Sequence, residues 1–237
     1  NFGDRVKNFI TFNEPSVFIG CGYWQGSHAP GLKMQDRELL QIGHNIHVAH
    51  GKAVKVLRSK VKKANIGITL ATQPKIPLTP ADEKAAYDAY FWTGLGGFFW
   101  GTSYWLDPII NGKYPELLIE QAGDIFPKVT DKEMKIINQK IDFIGLNIYE
   151  AQYQGDYVRT PGTAHTELNW DVYPDALYWG IKHNWEKYHI PIYITENGMS
   201  AHDWVSLDGK VHDPNRIDFL HRYLKGLRKS ADEGCDV

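Results

Sequence analysis

Apolar positions along this chain follow two alternating rhythms. Four short runs, rich in β-branched and aromatic residues, read as strands: Val6 to Phe12 (VKNFITF), Ala64 to Leu70 (ANIGITL), Ile141 to Asn147 (IDFIGLN) and Ile190 to Thr195 (IPIYIT). Between them the apolar spacing changes to three or four. Arg37 to Ser59 carries Leu39, Ile42, Ile46, Ala49, Ala53, Val56 and Leu57 at that interval, which predicts a long amphipathic helix. Ala81 to Phe91 opens on Pro80-Ala81-Asp82-Glu83 and Tyr114 to Ala122 on Pro115-Glu116, both helix-start signals. Pro174 to Tyr188 is helical in period, and Arg216 to Ser230 follows Asp213-Pro214.

Strands separated by helices pair in parallel through right-handed crossovers, so the expected class is α/β over a single domain, residues 1–237. Four strands are too few to close a barrel. The alternatives are an open sheet and a contiguous piece of a longer (β/α)8 barrel. The longest irregular stretches, Gly20 to Met34 and Glu150 to Asn169, each follow a strand, where such folds keep their active sites.

Composition narrows the function classes. A formal charge of −2 with no long basic cluster argues against nucleic acid. No run approaches the roughly 20 apolar residues of a membrane span. The first residues lack a signal-peptide pattern, and Cys21 and Cys235 are too few for a disulfide framework. The expected setting is reducing and cytoplasmic. Aromatics reach 13%, a content that suits clefts stacking on sugar rings as well as an aromatic core. His44, His47 and His50 share one helix without metal-ligand flanks, so packing and hydrogen bonding are expected there and no metal or cofactor. Asp88 to Tyr104, "DAYFWTGLGGFFWGTSY", reads as an aromatic surface or an inserted turn.

The candidate chemistry is a carboxylate pair. Glu14 closes the first strand in Ile10-Thr11-Phe12-Asn13-Glu14-Pro15, and Glu196 closes the fourth in Tyr193-Ile194-Thr195-Glu196-Asn197-Gly198. C-terminal strand ends share one rim of a parallel sheet, and two carboxyl groups on one rim suit glycosidase chemistry, one as proton donor and one as nucleophile or activator of water. The alternative is an acid before a helix and an acid before a turn. Asn13 lies beside Glu14, and Asn197-Gly198 supplies a sharp turn after Glu196.

These two motifs resemble the signatures of glycoside hydrolase family 1, the β-glucosidases and their relatives. Further matches follow in order: His28-Ala29-Pro30-Gly31, Ala49-His50, Leu106-Asp107-Pro108, Gly112-Lys113-Tyr114-Pro115, Asp142 to Tyr149 (DFIGLNIY) and Trp170 to Leu177 (WDVYPDAL). The resemblance implies a partial (β/α)8 barrel, about four βα units, the fourth to seventh strands. It implies a retaining β-glycosidase acting on terminal β-D-glucosides or β-galactosides, with Glu14 the acid/base and Glu196 the nucleophile, their carboxyl groups about 5–5.5 Å apart. By the same resemblance Asn13 holds the sugar 2-hydroxyl and Tyr149 hydrogen-bonds the nucleophile. Asn147 lines that pocket, and Trp170 shapes the aglycone side. A 6-phospho-β-glycosidase shares the pattern, and an inert fragment is the non-enzyme alternative. Strands uncovered at the edges predict a need for the remaining barrel segments or self-association.

Overall fold

The structure, a computed structural model, describes residues 2–155 and 161–237. In chain order the elements are β1 (Asn8–Asn13), α1 (Pro15–Val17) running into a π-helical stretch Phe18–Gln25, α2 (Asp36–Lys60), β2 (Asn65–Thr72), β3 (Lys75–Pro77) and α3 (Glu83–Phe91). There follow α4 (Thr102–Ile110), α5 (Glu116–Ala122), α6 (Asp131–Ile137), β4 (Phe143–Ile148), β5 (Gln152–Gln154), α7 (Ala176–Tyr188), β6 (Ile192–Glu196) and α8 (Pro214–Asp232). All four expected strands form, each within two residues of its predicted bounds. They make one sheet in the order β1-β2-β4-β6, and β1 and β2 are parallel. Contacts divide the chain into two compact units, Asn1–Ala71 with Phe91–Gly145 and Thr72–Tyr90 with Leu146–Val237.

In unit 1, α2 is the principal helix. Its N-terminus carries a reciprocal cap, with the Gln35 N–H donating to Glu38 Oε2 at 3.2 Å. Asp36 and Glu38 in the first turn and Arg58 and Lys60 in the last oppose the helix dipole. Its inner face buries Leu39, Leu40, Ile46 and Val54 together with the three histidines. At Gly51 a Cβ atom would stand 1.9 Å from the Ile136 carbonyl oxygen, so only glycine lets α2 approach α6 this closely. α6 is capped by Thr130, whose Oγ1 accepts from the Glu133 N–H at 3.2 Å while Glu133 Oε2 accepts from the Thr130 N–H.

β2 buries Ile66, Ile68, Thr69 and Leu70, and every residue of β4 is buried, the unbroken apolar burial of interior strands. Asp142, just before β4, accepts from the Ile66 N–H at 2.7 Å and pairs with Arg58, tying β2 to the end of α2. The aromatic stretch left open by sequence becomes core and surface together. Phe98, Phe99, Tyr104 and Trp105 are buried and in ring contact, while Trp92 and Trp100 remain exposed.

In unit 2, α7 packs against α8, and Phe219 and Tyr223 of α8 stack at 3.8 Å. β3 and β5 form a second, parallel two-stranded sheet, which three-residue runs could not announce. β5 falls within the stretch expected to be irregular, of which residues 156–160 lie outside the described residues. The other stretch, Gly20 to Met34, is also shorter than expected, because the π-helix continues to Gln25. Among the described residues no helix is long and apolar enough to cross a membrane.

Candidate active site

Glu14 stands in unit 1 at the junction of β1 and α1. Ile10 pairs with Gly67 and Asn13 with Thr69, so β1 carries one extra residue before its end, a bulge. The Glu14 N–H then donates to the Thr69 carbonyl at 2.9 Å, and the Glu14 carbonyl accepts from Val17 N–H at 3.0 Å, starting the helix. Between these bonds Glu14 adopts φ 48° and ψ 57°, a left-handed conformation that a glutamate takes only under constraint. Pro15, at the first helical position, has no N–H to satisfy there. Asn13 is exposed and Glu14 half-buried.

The strand behind Glu14 is pinned from α2. Thr11 Oγ1 donates to the Gly67 carbonyl at 3.3 Å and lies 2.7 Å from His50 Nδ1, which therefore donates to it. The other two histidines form a relay with Tyr114. His47 Nε2 donates to the Trp105 carbonyl at 3.3 Å, so its Nδ1 accepts from the Tyr114 hydroxyl at 3.2 Å, and that oxygen accepts from His44 Nδ1 at 2.9 Å. Burial lowers His47 to about 3 and His50 to about 4, so both are neutral. Among the described residues no group of three or more His, Cys, Asp or Glu is arranged to hold a metal ion.

Unit 2 brings together Asn147, Tyr149, Trp170 and Glu196. Glu196 is the last residue of β6, and Tyr149 donates its hydroxyl to Glu196 Oε2 at 2.5 Å. A phenol bonded to a carboxylate oxygen fixes the carboxylate's direction. Thr195 donates to Asn147 Oδ1 at 2.6 Å, and Asn197 Nδ2 reaches back to the Ile148 carbonyl at 2.7 Å, so both neighbours of Glu196 are fastened to β4. Asn147 is buried. Trp170 is 39% exposed, at the end of a tight turn closed by bonds between Thr166 and Trp170, with its ring 5.7 Å from Tyr149.

Sequence reasoning missed several parts of this arrangement. Tyr223 accepts from the Tyr173 N–H at 2.9 Å and donates to the Tyr149 carbonyl at 3.2 Å, holding the strand end that carries the phenol. Glu150 is a further carboxyl group beside Tyr149. Burial raises its pKa, the Gln73 amide bonded to it at 2.6 Å opposes the rise, and Asp171 adds to it. Its position next to Tyr149 was the available signal.

Comparison with known proteins identifies the family. The profile described as "Glycosyl hydrolase family 1" matches residues 1–237. Beta-glucosidase A of Thermotoga maritima is 37% identical over 246 residues, covering 100% of this chain and 54% of its own length. A 6-phospho-beta-galactosidase of Clostridium acetobutylicum is 30% identical, covering 99% of the chain and 56% of itself. The solved structure of the Thermotoga maritima beta-glucosidase in complex with glucoimidazole superposes with a TM-score of 0.85 at 37% identity, over 99% of this chain and 54% of that one. The chain thus spans about half the length of the curated relatives it matches, and its α/β fold is a partial (β/α)8 barrel. Two glutamates closing parallel-sheet strands, one of them under a tyrosine hydroxyl, sit in a sequence that matches one family from end to end: the chain belongs to glycosyl hydrolase family 1.

Proposed function

We propose that this chain carries the catalytic face of a retaining β-glycosidase acting on terminal β-D-glucosides, with β-galactosides as related substrates. The observation that carries the reading is the Tyr149 hydroxyl on Glu196 Oε2, which aims a carboxylate at a strand end. In the first step the Glu196 carboxylate attacks the anomeric carbon while the Glu14 carboxyl group gives its proton to the departing glycosidic oxygen. The result is a glycosyl ester on Glu196 and a Glu14 carboxylate. In the second step Glu14 takes a proton from water, the hydroxide oxygen attacks the anomeric carbon, and the ester bond to Glu196 breaks. The left-handed backbone at Glu14 supports its role, since strain of this kind collects at functional positions. Asn13 would bond the 2-hydroxyl, Asn147 would line the same pocket and Trp170 would flank the aglycone.

A 6-phospho-β-glycosidase is the second reading, favoured by the Clostridium relative's name. The rest of the barrel, or self-association, completes the sugar site in either case, because the relatives are about twice as long.

Incubation with a 2-fluoro glucosyl donor followed by intact mass and peptide mapping tests the assignment. The expected result is a stable glycosyl adduct on Glu196, absent in Glu196→Gln. An adduct on another residue overturns the assignment, and no adduct from either the plain or the 6-phospho donor favours an inert chain.

A further inference from the structure

Past Ile148 the chain leaves β4 and does not enter β5 until Gln152, so Tyr149 stands in a link between two sheets. Three bonds stitch residues 147–152 to residues 72–74. Thr72 donates to the Asn147 carbonyl at 3.3 Å, Gln73 Nε2 to Glu150 Oε1 at 2.6 Å, and the Gln152 N–H to the Pro74 carbonyl at 2.9 Å. The middle bond is the shortest, and it is made by the side chain next to Tyr149. Glu150 thereby restrains the peptide from which the Tyr149 side chain projects. A phenol oxygen lies far from its own Cα, so a backbone swing of about 10° moves it about 1 Å, more than a catalytic contact tolerates. The Tyr149 hydroxyl has a 2.5 Å bond to Glu196 to keep.

A carboxylate is a demanding choice for that tie. Glu150 is half-buried, and burial, with Asp171 adding to it, raises its pKa against the opposing Gln73 bond. An amide or a hydroxyl would fasten the link without placing a charge there. What the carboxylate offers is a stronger bond, because the acceptor is ionised. The tie from Tyr223 to the Tyr149 carbonyl is longer, at 3.2 Å. A perturbed carboxyl group one residue from the phenol that holds Glu196 points to function more than to fastening alone.

We propose that Glu150 is a positioning residue for attack by Glu196: through its bond to Gln73 it keeps the Tyr149 phenol on the Glu196 carboxylate. This rests on the reading of Glu196 as the nucleophile. Glu150 itself touches no reacting atom, and acts through Tyr149.

Two readouts on the full chain test this: the rate of adduct formation from a 2-fluoro glucosyl donor, and the Tyr149 resonance in protein labelled with ¹³C at the tyrosine ζ carbons. That resonance is assigned by its loss in Tyr149→Phe. Glu150→Ala and Gln73→Ala are each expected to move it toward the value of a free phenol. Each should also slow the rate at saturating donor about tenfold, with half-saturation unchanged. Glu150→Gln still offers Gln73 an acceptor, and should stay within about twofold of the original chain in rate. The double variant Glu150→Ala with Gln73→Ala should be no slower than either single one, because both remove the same bond. An unmoved resonance in Glu150→Ala overturns the proposal. So does Glu150→Gln as slow as Glu150→Ala, or additive slowing in the double variant. An original chain that forms no adduct counts against the reading of Glu196, and the resonance then decides whether Glu150 holds the phenol. Should Glu150→Ala fail to fold, Gln73→Ala and Glu150→Gln carry the same comparison.

Discussion

The ends of β1 and β6 each present a glutamate, and they are built by different means. At β1 the backbone does the positioning: a bulge, a left-handed residue and a proline-started helix set Glu14. At β6 the side chains do it. Tyr149 holds the carboxylate, and Thr195 and Asn197 clip its neighbours to β4. The backbone that carries Glu14 depends on one residue's conformation. A carboxylate placed by neighbouring side chains depends on several hydrogen bonds, each of which a single substitution removes.

The largest test of this difference is Tyr149→Phe, which deletes a hydrogen bond to a charged group worth about 1.5–3 kcal/mol. If that bond strengthens toward the transition state, adduct formation on Glu196 should slow by about 10- to 100-fold, as time-resolved intact mass would show. An unchanged rate would mean that Glu196 does not depend on the Tyr149 bond.

Acid should expose the next difference. Unit 1 holds His47 and His50, lowered to about 3 and about 4, and unit 2 holds His183, lowered to about 4. An unfolded histidine titrates near 6.5, so below that pH the unfolded chain takes up protons that the folded one refuses. The stability is therefore complete above about pH 6.5 and is lost as pH falls toward about 4, at about 1.4 kcal/mol per pH unit for each histidine. Denaturant midpoints between pH 7 and 4.5 should fall less steeply in His183→Gln by one proton's slope. An unaltered slope would remove His183 from the account.

A smaller effect is expected at the pin behind Glu14. Thr11→Val keeps the shape but leaves His50 Nδ1 buried without an acceptor, and should cost about 1–3 kcal/mol in urea unfolding. The smallest effect is also the sharpest, because its sign reverses between the two strand ends. Glu14→Gly should be more stable than Glu14→Ala by about 1–2 kcal/mol, since glycine relieves the left-handed conformation. At Glu196, within a strand, Gly should be less stable than Ala by about 0.5–1 kcal/mol. Equal signs at the two positions would erase the distinction.

Much of the fold was legible in the chain because burial writes a period into it. The β4 run is apolar but for Asn147 because the strand is covered on both faces, and α2 shows its inner stripe at helical spacing. Two short helices were not legible: α4 contains Pro108 and begins after a glycine-rich aromatic run, and α6, seven residues long, falls just short of two turns. At the site, the sequence announced both glutamates by the strands they close. The bond from Tyr149 to Glu196 came from resemblance alone, since nothing in the spacing of 47 residues encodes it. The left-handed Glu14 left no mark, because glutamate is not a residue that signals positive φ. Tyr223 was invisible for a similar reason: a tyrosine on the buried face of a helix reads as core until its hydroxyl is located.

That hydroxyl also turns Tyr223 into an optical label. Burial, with Glu150 adding to it, raises the pH at which it ionises, and in unit 1 burial does the same for Tyr104 and Tyr114. In an alkaline titration followed by ultraviolet absorbance, exposed phenols turn to phenolate near pH 10, while these three stay silent for as long as their unit is folded. The late, abrupt step of Tyr223 would mark the release of the strand end that it holds, with no fluorophore attached.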